Sequence, residues 1–504
     1  MSLTKTAEAP FSRGALEFLF TAGAAFLVAS IYNKNPIFIS IATISLAVAS
    51  YFFLTMPEYG AFFIAALLPF RDINLVSVIH LKRAVIWTLF IYVIIRTLTE
   101  RTTQPSRYSR NLLMFGASAG SFALVLLLSY FNSYLQAFSN EHFSTFSPTS
   151  IFFSIVMAVI EELFLVGIAY ALLTSLRQLA RLIDVILAIS AIIALLGIVQ
   201  YYQGGAMGML HVLFDSNYPF YGRATSVFSG PNIFAEYLAP TVGIALASFL
   251  WGINSNIKRF GFILPILLVN CWGVYLSSSR EGMLQVLVSL CVMGYIYYVK
   301  ICAKTLSWKA VFFTCILVGI VWSAYVHYEF YIGVRLKSSD PVEYQNKIIA
   351  LKNMNNYIRK HAAMKAVDAF RSHPVFGIGF GMFSARGLAE LQKISPHNEY
   401  LRMLAETGLL GFLPFICMIG VVLKTGLAFW NPRRARALPM EAQLMMLFVL
   451  TGAMTVLCSY FFSDPLPVFS TTGYFCIYAG AIFALEREYR LAPISAPERE
   501  RSAS

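Results

Sequence analysis

Three short polar patterns carry the side chains best suited to chemistry, and each lies beside an apolar run. The first is Gly222-Arg223-Ala224-Thr225-Ser226-Val227-Phe228-Ser229-Gly230-Pro231-Asn232. The second is Ser277-Ser278-Ser279-Arg280-Glu281-Gly282, a tight turn between two apolar stretches. The third is Pro396-His397-Asn398-Glu399-Tyr400-Leu401, with Glu406-Thr407-Gly408 and Gly411 following it. Arginine presents a planar fork of donors that suits phosphate oxygens, so Arg223 and Arg280 together fit a diphosphate. Histidine, with an unperturbed pKa of about 6.5, suits proton abstraction from a hydroxyl near neutral pH, and that is the chemistry open to His397.

Each pattern also has a plain structural explanation. An arginine at a helix end commonly snorkels to lipid headgroups, Pro-His-Asn serves as a turn that starts a helix, and Gly408 and Gly411 permit close helix packing. Glu161 and Glu162 lie inside an apolar run, where an ionisable residue either marks function or interrupts the helix. The functional reading gains weight from two arginines and one histidine, on separate turns, falling on one side of the membrane.

That side follows from the elements that position the residues. The chain has 504 residues, of which 58% are hydrophobic and 12% charged, about half the charged share of a soluble domain. Runs such as Leu112 to Phe131 and Leu444 to Phe462 are long enough to cross a hydrocarbon core of about 30 Å as helices. They lack the two-residue alternation of a membrane barrel. Fourteen apolar runs, from 15–31 to 467–486, predict an all-α polytopic membrane protein with about 12–14 spans. The run at 15–31 reads as a retained helix rather than a cleaved signal. The seven cysteines show no metal-type spacing. The charge of +13 is scattered between apolar runs, which argues against a nucleic-acid partner.

With the N-terminus in the cytoplasm, cytoplasmic segments hold 21 Lys and Arg and the short external loops hold six. The positive-inside rule then puts both termini in the cytoplasm and all three patterns outside. Residues 327–399 carry ten Lys and Arg, but a loop of that length is translocated regardless of charge. It is expected to be one long, mostly helical periplasmic loop, with Ile348, Leu351, Ile358, Ala362, Ala366 and Phe370 at helical spacing until Pro374. The Gly-Ile-Gly-Phe-Gly strip at 377–381 is turn-rich and lacks the strand-helix context of a dinucleotide fingerprint. The expected divisions are N-terminal helices 1–200, a transmembrane core 201–326, the loop 327–399, C-terminal helices 400–490 and a polar tail 491–504.

At these residues the sequence resembles the O-antigen ligase and polymerase superfamily of bacterial envelope enzymes. The resemblance rests on Arg223 with Pro231-Asn232, on Ser279-Arg280, on His-Pro-x-x-Gly-x-Gly at 373–379, and on His-Asn-x-Tyr-Leu with Glu-x-Gly-x-x-Gly from 397 to 411. Glu281 stands where that family more often has a small residue. The resemblance implies an inner-membrane glycosyltransferase that moves a glycan from undecaprenyl diphosphate to an acceptor hydroxyl in the periplasm, with inversion and without metal or cofactor. It implies that Arg223 and Arg280 bind the diphosphate and that His397 acts on the acceptor, with Asn232, Ser279, His373, Asn398, Glu399 and Tyr400 in support. The implied partners are the lipid-linked donor, membrane lipids and an acceptor, which is lipid A-core, another glycan or, in a third class with the same motifs, a protein hydroxyl. The alternatives are an O-antigen or exopolysaccharide polymerase using the same chemistry, and a transporter of lipid-linked glycan. A transporter is expected to place ionisable residues in paired half-repeats, and Glu161-Glu162 has no counterpart in the second half.

The charge bias makes a direct prediction. Single cysteines replacing Ser147 or Ser384, in a background without the native cysteines, should react with an impermeant thiol reagent from outside, and cysteines replacing Ser106 or Ala435 should not. Labelling of the Ser106 replacement in intact cells would invert the topology.

Overall fold

The structure is a computed structural model. It describes residues 58–70, 74–76, 79–100, 109–138, 152, 156–202, 223–228, 230–251, 255–301, 341–385, 396–430, 438–463 and 471–490. The runs expected at 15–31, 36–54 and 309–326 lie outside these residues, as do Ser147 and the tail from 491. Every other expected run falls on a helix.

The chain forms α1 (Glu58–Leu67), a small antiparallel hairpin of β1 (Asn74–Val76) and β2 (Ile79–His80), and α2 (Leu81–Glu100). There follow α3 (Arg110–Phe138), α4 (Met157–Leu172), α5 (Leu176–Tyr202) and α6 (Pro231–Trp251). Next come α7 (Asn256–Ser277), which contains a π-helical turn, and α8 (Arg280–Tyr295). The last elements are α9 (Pro341–Ser372), α10 (Met382–Ala385), α11 (Glu399–Ala428), α12 (Met440–Ser459) and α13 (Thr472–Arg490). The hairpin is the one departure from the all-α expectation among the described residues.

Seven described helices are long and apolar enough to cross a membrane: α3, α5, α6, α7, α8, α11 and α12. The protein is therefore an all-α, multi-pass membrane protein. Glu161 and Glu162 do not break α4, which runs through both. Pro231 starts α6, where a missing N–H costs nothing. The helix α6 packs on α7, α8 and α12 and is buried along most of its length. Small residues permit that approach, since a β-carbon at Gly282 would collide with Ala235. Across α5, α6 and α7, Asn270 Nδ2 donates to Ser190 Oγ at 2.7 Å and Thr241 Oγ1 at 3.1 Å. Such interhelical bonds hold polar side chains inside apolar surroundings. By contrast, α3 exposes Leu113, Leu124, Leu128 and Phe131, as a lipid-facing helix does.

The helix α11 is interrupted where the third pattern ends. Gly408 has φ 58° and ψ −163°, a conformation open essentially to glycine alone. The interruption frees backbone groups, and the glycine strip after α9 satisfies them. Ile378 N–H donates to the Ala405 carbonyl at 3.0 Å and Gly379 N–H to the Glu406 carbonyl at 2.9 Å. In return, Leu409 N–H donates to the Pro374 carbonyl at 2.9 Å and Leu410 N–H to the Val375 carbonyl at 3.1 Å. Ser129 of α3 joins them, accepting from Phe380 N–H at 2.9 Å and donating to the Glu406 carbonyl. Glu406 Oε1 accepts from Phe383 N–H at 3.0 Å. Of the positions read at helical spacing in the sequence, Ala362 and Ala366 of α9 are buried and Ile358 and Phe370 half-buried, and Ala369 is buried beside them.

Gly408→Ala combines a forbidden backbone region with a collision against the Val375 carbonyl. It should destabilise the folded protein by about 1–3 kcal/mol or more, seen as a lower Tm in detergent, whereas an alanine at Gly420, which has open space around it, should not. Equal melting temperatures for the two variants would remove the junction from its structural role.

Candidate functional site

The end of α5 sets the course of the first pattern. Gln200 Oε1 accepts from the backbone N–H groups of Thr225 at 3.0 Å and Ser226 at 2.7 Å, while its Nε2 donates to Thr225 Oγ1 at 2.9 Å. Ser226 Oγ donates to the Ile193 carbonyl at 2.7 Å. Residue 224 then pairs with the end of α7, its N–H donating to the Leu276 carbonyl at 3.0 Å. Spacing alone did not identify Gln200; its only signal is an amide at the end of an apolar run.

Arg223 is held on protein carbonyls. Its Nε donates to Ser277 O at 2.8 Å, and its Nη2 donates to Ser278 O at 3.2 Å and to Asn232 Oδ1 at 3.0 Å. The last carbonyls of a helix attract cations, so Arg223 caps α7 and ties it to the first turn of α6. Ser278 completes the cap in the left-handed region, at φ 49°. One residue on, Ser279 is the N-cap of α8, with its Oγ accepting from Gly282 N–H at 3.2 Å. Arg280 occupies the first position of α8, is exposed, and has no hydrogen bond or ion pair among the described residues. The two arginines read as a pair in the sequence therefore differ: one secures the turn, and the other projects from it.

The third pattern leans on the C-terminal end of α12. His397 is half-buried with φ 49°. Asn398 is the N-cap of α11, its Oδ1 accepting from Leu401 N–H at 3.0 Å and its Nδ2 donating to the Phe461 carbonyl at 3.2 Å. Glu399 N–H donates to the Tyr460 carbonyl at 2.8 Å and Tyr400 OH to the Leu457 carbonyl at 3.2 Å. Glu281, next to Arg280, lies close enough to Cys458 for its charge to act on that thiol. The second and third patterns thus meet the same segment, 457–461. His373 lies elsewhere on the surface, at the end of α9, with Nδ1 3.0 Å from Ser372 Oγ. No hydrogen bond between described residues joins it to 396–401.

Beneath His397 lies a group of buried charges. The Glu399 carboxylate is fully buried and accepts from Arg402 Nη2 at 2.7 Å and Nε at 3.0 Å, and the Arg402 guanidinium sits 6.0 Å from the Phe380 ring centre. Arg83 of α2 pairs with Glu161 of α4 at 3.0 Å, in ion-pair rather than hydrogen-bond alignment, and Trp87 Nε1 donates to Glu161 Oε1 at 2.9 Å. Glu162 is buried without a hydrogen bond among the described residues. Lys82 and Arg402 are the opposite charges acting on it, Glu399 and Glu161 the like ones. Lys82, Arg83 and Arg402 all escaped the sequence reading. The first two looked like polar breaks between apolar runs, yet both are buried. Among the described residues no three His, Cys, Asp or Glu side chains gather as a metal-binding group, so none is assigned to a metal.

The fold and these turns define a multi-pass helical membrane protein with a polar constellation gathered at one end of its bundle. Residues 265–416 match the family described as O-antigen ligase. That match is in accord with the resemblance to the O-antigen ligase and polymerase superfamily. The match spans α7 to the middle of α11, so it includes Arg280, the 373–379 strip and the 397–411 pattern, and it excludes Arg223. No curated protein matches the chain.

The difference between the arginines is testable by stability. Arg223→Lys keeps the charge but cannot reproduce the fork, and the loss of charge-assisted bonds to the α7 cap should cost about 2 kcal/mol. Arg280→Lys should melt with the wild type. A reversed order in thermal melts would show that Arg280, not Arg223, braces the turn.

Proposed function

We propose that the protein transfers a glycan from a lipid-linked diphosphate to an acceptor hydroxyl, as an O-antigen ligase does. One observation carries the reading. Among the described residues, the non-glycine residues in the left-handed region are Ser226, Ser278 and His397, one in each of the three polar patterns. Such positions cost about 1–3 kcal/mol each and persist where surrounding structure over-determines them, which is characteristic of active sites. The family match over 265–416 supports the same reading.

In the proposed reaction the acceptor oxygen attacks the anomeric carbon, a new C–O bond forms, and the bond from that carbon to the diphosphate oxygen breaks. Configuration inverts. His397 takes the proton of the attacking hydroxyl. Arg280 binds the diphosphate and stabilises the charge that collects on it as it departs. With no hydrogen bond or ion pair among the described residues, its fork is ready for phosphate oxygens, and it stands at a helix N-terminus, where backbone N–H groups also favour anions. Arg223 fixes the turn from which Arg280 extends. Asn398 and Glu399 fix the turn that carries His397, and Glu399, being buried and paired with Arg402, orients rather than exchanges protons.

The test is transfer by purified protein supplied with an undecaprenyl-diphosphate glycan, with lipid A-core in one arm and a second lipid-linked repeat in the other. Product in the first arm identifies a ligase, and product in the second a polymerase. His397→Ala should bind the donor yet lose about 10² to 10⁴ in rate, the usual worth of general-base help. Arg280→Lys should also lose most turnover. Near-normal transfer by His397→Ala would sink its role, and glycan crossing the bilayer without any transfer product would replace the enzyme with a transporter.

A further inference from the structure

At the other end of the bundle, an open cavity of about 330 Å³ lies between the start of α3, the later turns of α11 and the end of α13. It is lined by Arg110, Asn111, Met114, Lys424 and Glu486. Its volume falls at the lower end of the range for small-molecule clefts, about 300–1,000 Å³. Lys424 lies 25 residues beyond Glu399 in α11, past the interruption at Gly408, so this cavity is well separated along that helix from His397.

Its charges are arranged unequally. Arg110 and Lys424 are exposed and have no hydrogen bond or ion pair among the described residues. Arg110 also opens α3, whose first backbone N–H groups add to the attraction for an anion. Glu486 is buried; its Oε1 accepts from Asn111 Nδ2 at 2.9 Å, and its Oε2 is buried with no hydrogen-bond partner among the described residues. A buried carboxylate oxygen left without a donor is costly. Met114 is the one apolar side chain among the lining residues. Leu113 and Leu427, each three residues along its helix from a lining cation, are exposed.

From this arrangement we infer that the cavity binds the phosphoethanolamine headgroup of a membrane phospholipid. The phosphate bridges Arg110 and Lys424, the primary ammonium donates to Glu486 Oε2, and the acyl chains run down past Leu113 and Leu427. Two cations alone would suit any phosphate. The buried carboxylate narrows the ligand to one that also brings a cationic N–H donor, because a charge-assisted bond is about twice as strong as a neutral one. A glycerol headgroup offers only hydroxyls, and a choline headgroup has no N–H.

The test uses the full-length protein, stripped of co-purified lipid and titrated by native mass spectrometry with phosphatidylethanolamine, phosphatidylcholine or phosphatidylglycerol. Phosphatidylethanolamine should bind about tenfold more tightly than the other two, the factor expected from one charge-assisted hydrogen bond. Glu486→Gln should bring the three to parity, and Arg110→Ala with Lys424→Ala should weaken all three. Because Arg110 and Lys424 are exposed, those variants should keep the wild-type melting temperature; Lys424→Met alone provides a milder check if the double variant does not. Equal binding of the three lipids by the wild type, or unchanged binding by the double variant, overturns the proposal. A further arm adds free phosphoethanolamine or inorganic phosphate as competitor. Displacement of the lipid by either at comparable concentration would assign the cavity to a soluble phosphate and overturn the lipid as its occupant.

Discussion

Within or beside a bilayer a broken helix exposes N–H and C=O groups that water cannot easily reach, and each left unsatisfied costs several kcal/mol. The break at Gly408 in α11 is therefore tolerable only with a partner backbone, and the strip from Pro374 to Gly379 supplies it, two bonds in each direction. The contact requires close approach of two main chains. A β-carbon at Gly377 would collide with the Glu406 backbone, and Gly377, Gly379 and Gly408 all have positive φ. This junction docks the long helix α9 onto α11 and, through Ser129, onto α3. It fixes how the helix headed by His397 meets the rest of the bundle. Two motifs more than 20 residues apart are thus one structural unit.

A second constraint acts on the arginines. A helix that ends in Ser277-Ser278 and restarts at Arg280 must cap both termini within three residues. Ser278 takes the left-handed conformation, Ser279 caps the new helix through its hydroxyl, and Arg223 binds the carbonyls left over. With those groups satisfied, Arg280 has no structural duty that the geometry reveals. The division of labour supports assigning the phosphate to Arg280 and the bracing to Arg223, although the chemistry of both side chains is identical.

The buried charges below His397 follow the same logic at higher cost. Arg83 with Glu161, and Arg402 with Glu399, are pairs from which removal of one partner would leave an uncompensated buried charge. Such pairs add little net stability relative to apolar packing, but the first links α2 to α4, while the second lies within the first turn of α11. Glu162, on which Lys82, Arg402, Glu161 and Glu399 all act electrostatically, ties this group to the base of the third pattern.

Much of the architecture was legible from the chain alone. Hydropathy is a sum over neighbours in sequence, so the spanning helices and the polar turns between them could be read without coordinates. Local chemistry likewise marked Pro374 as the stop after α9 and Pro-His-Asn at 396–398 as a turn that starts a helix, and the 397–411 pattern carried the resemblance to the O-antigen ligase and polymerase superfamily. What only the tertiary structure decided depends on partners distant in sequence. Hydropathy marked Lys82 and Arg83 as polar interruptions, but a carboxylate 78 positions away pairs Arg83 inside the protein. Gly408 looked like a packing glycine until Val375 and Gly377 lay against it. Arg223 and Arg280 are equivalent as residue types; only the placement of two backbone carbonyls and one side-chain amide determines which is occupied, because hydrogen bonding depends on geometry that a one-dimensional pattern does not contain.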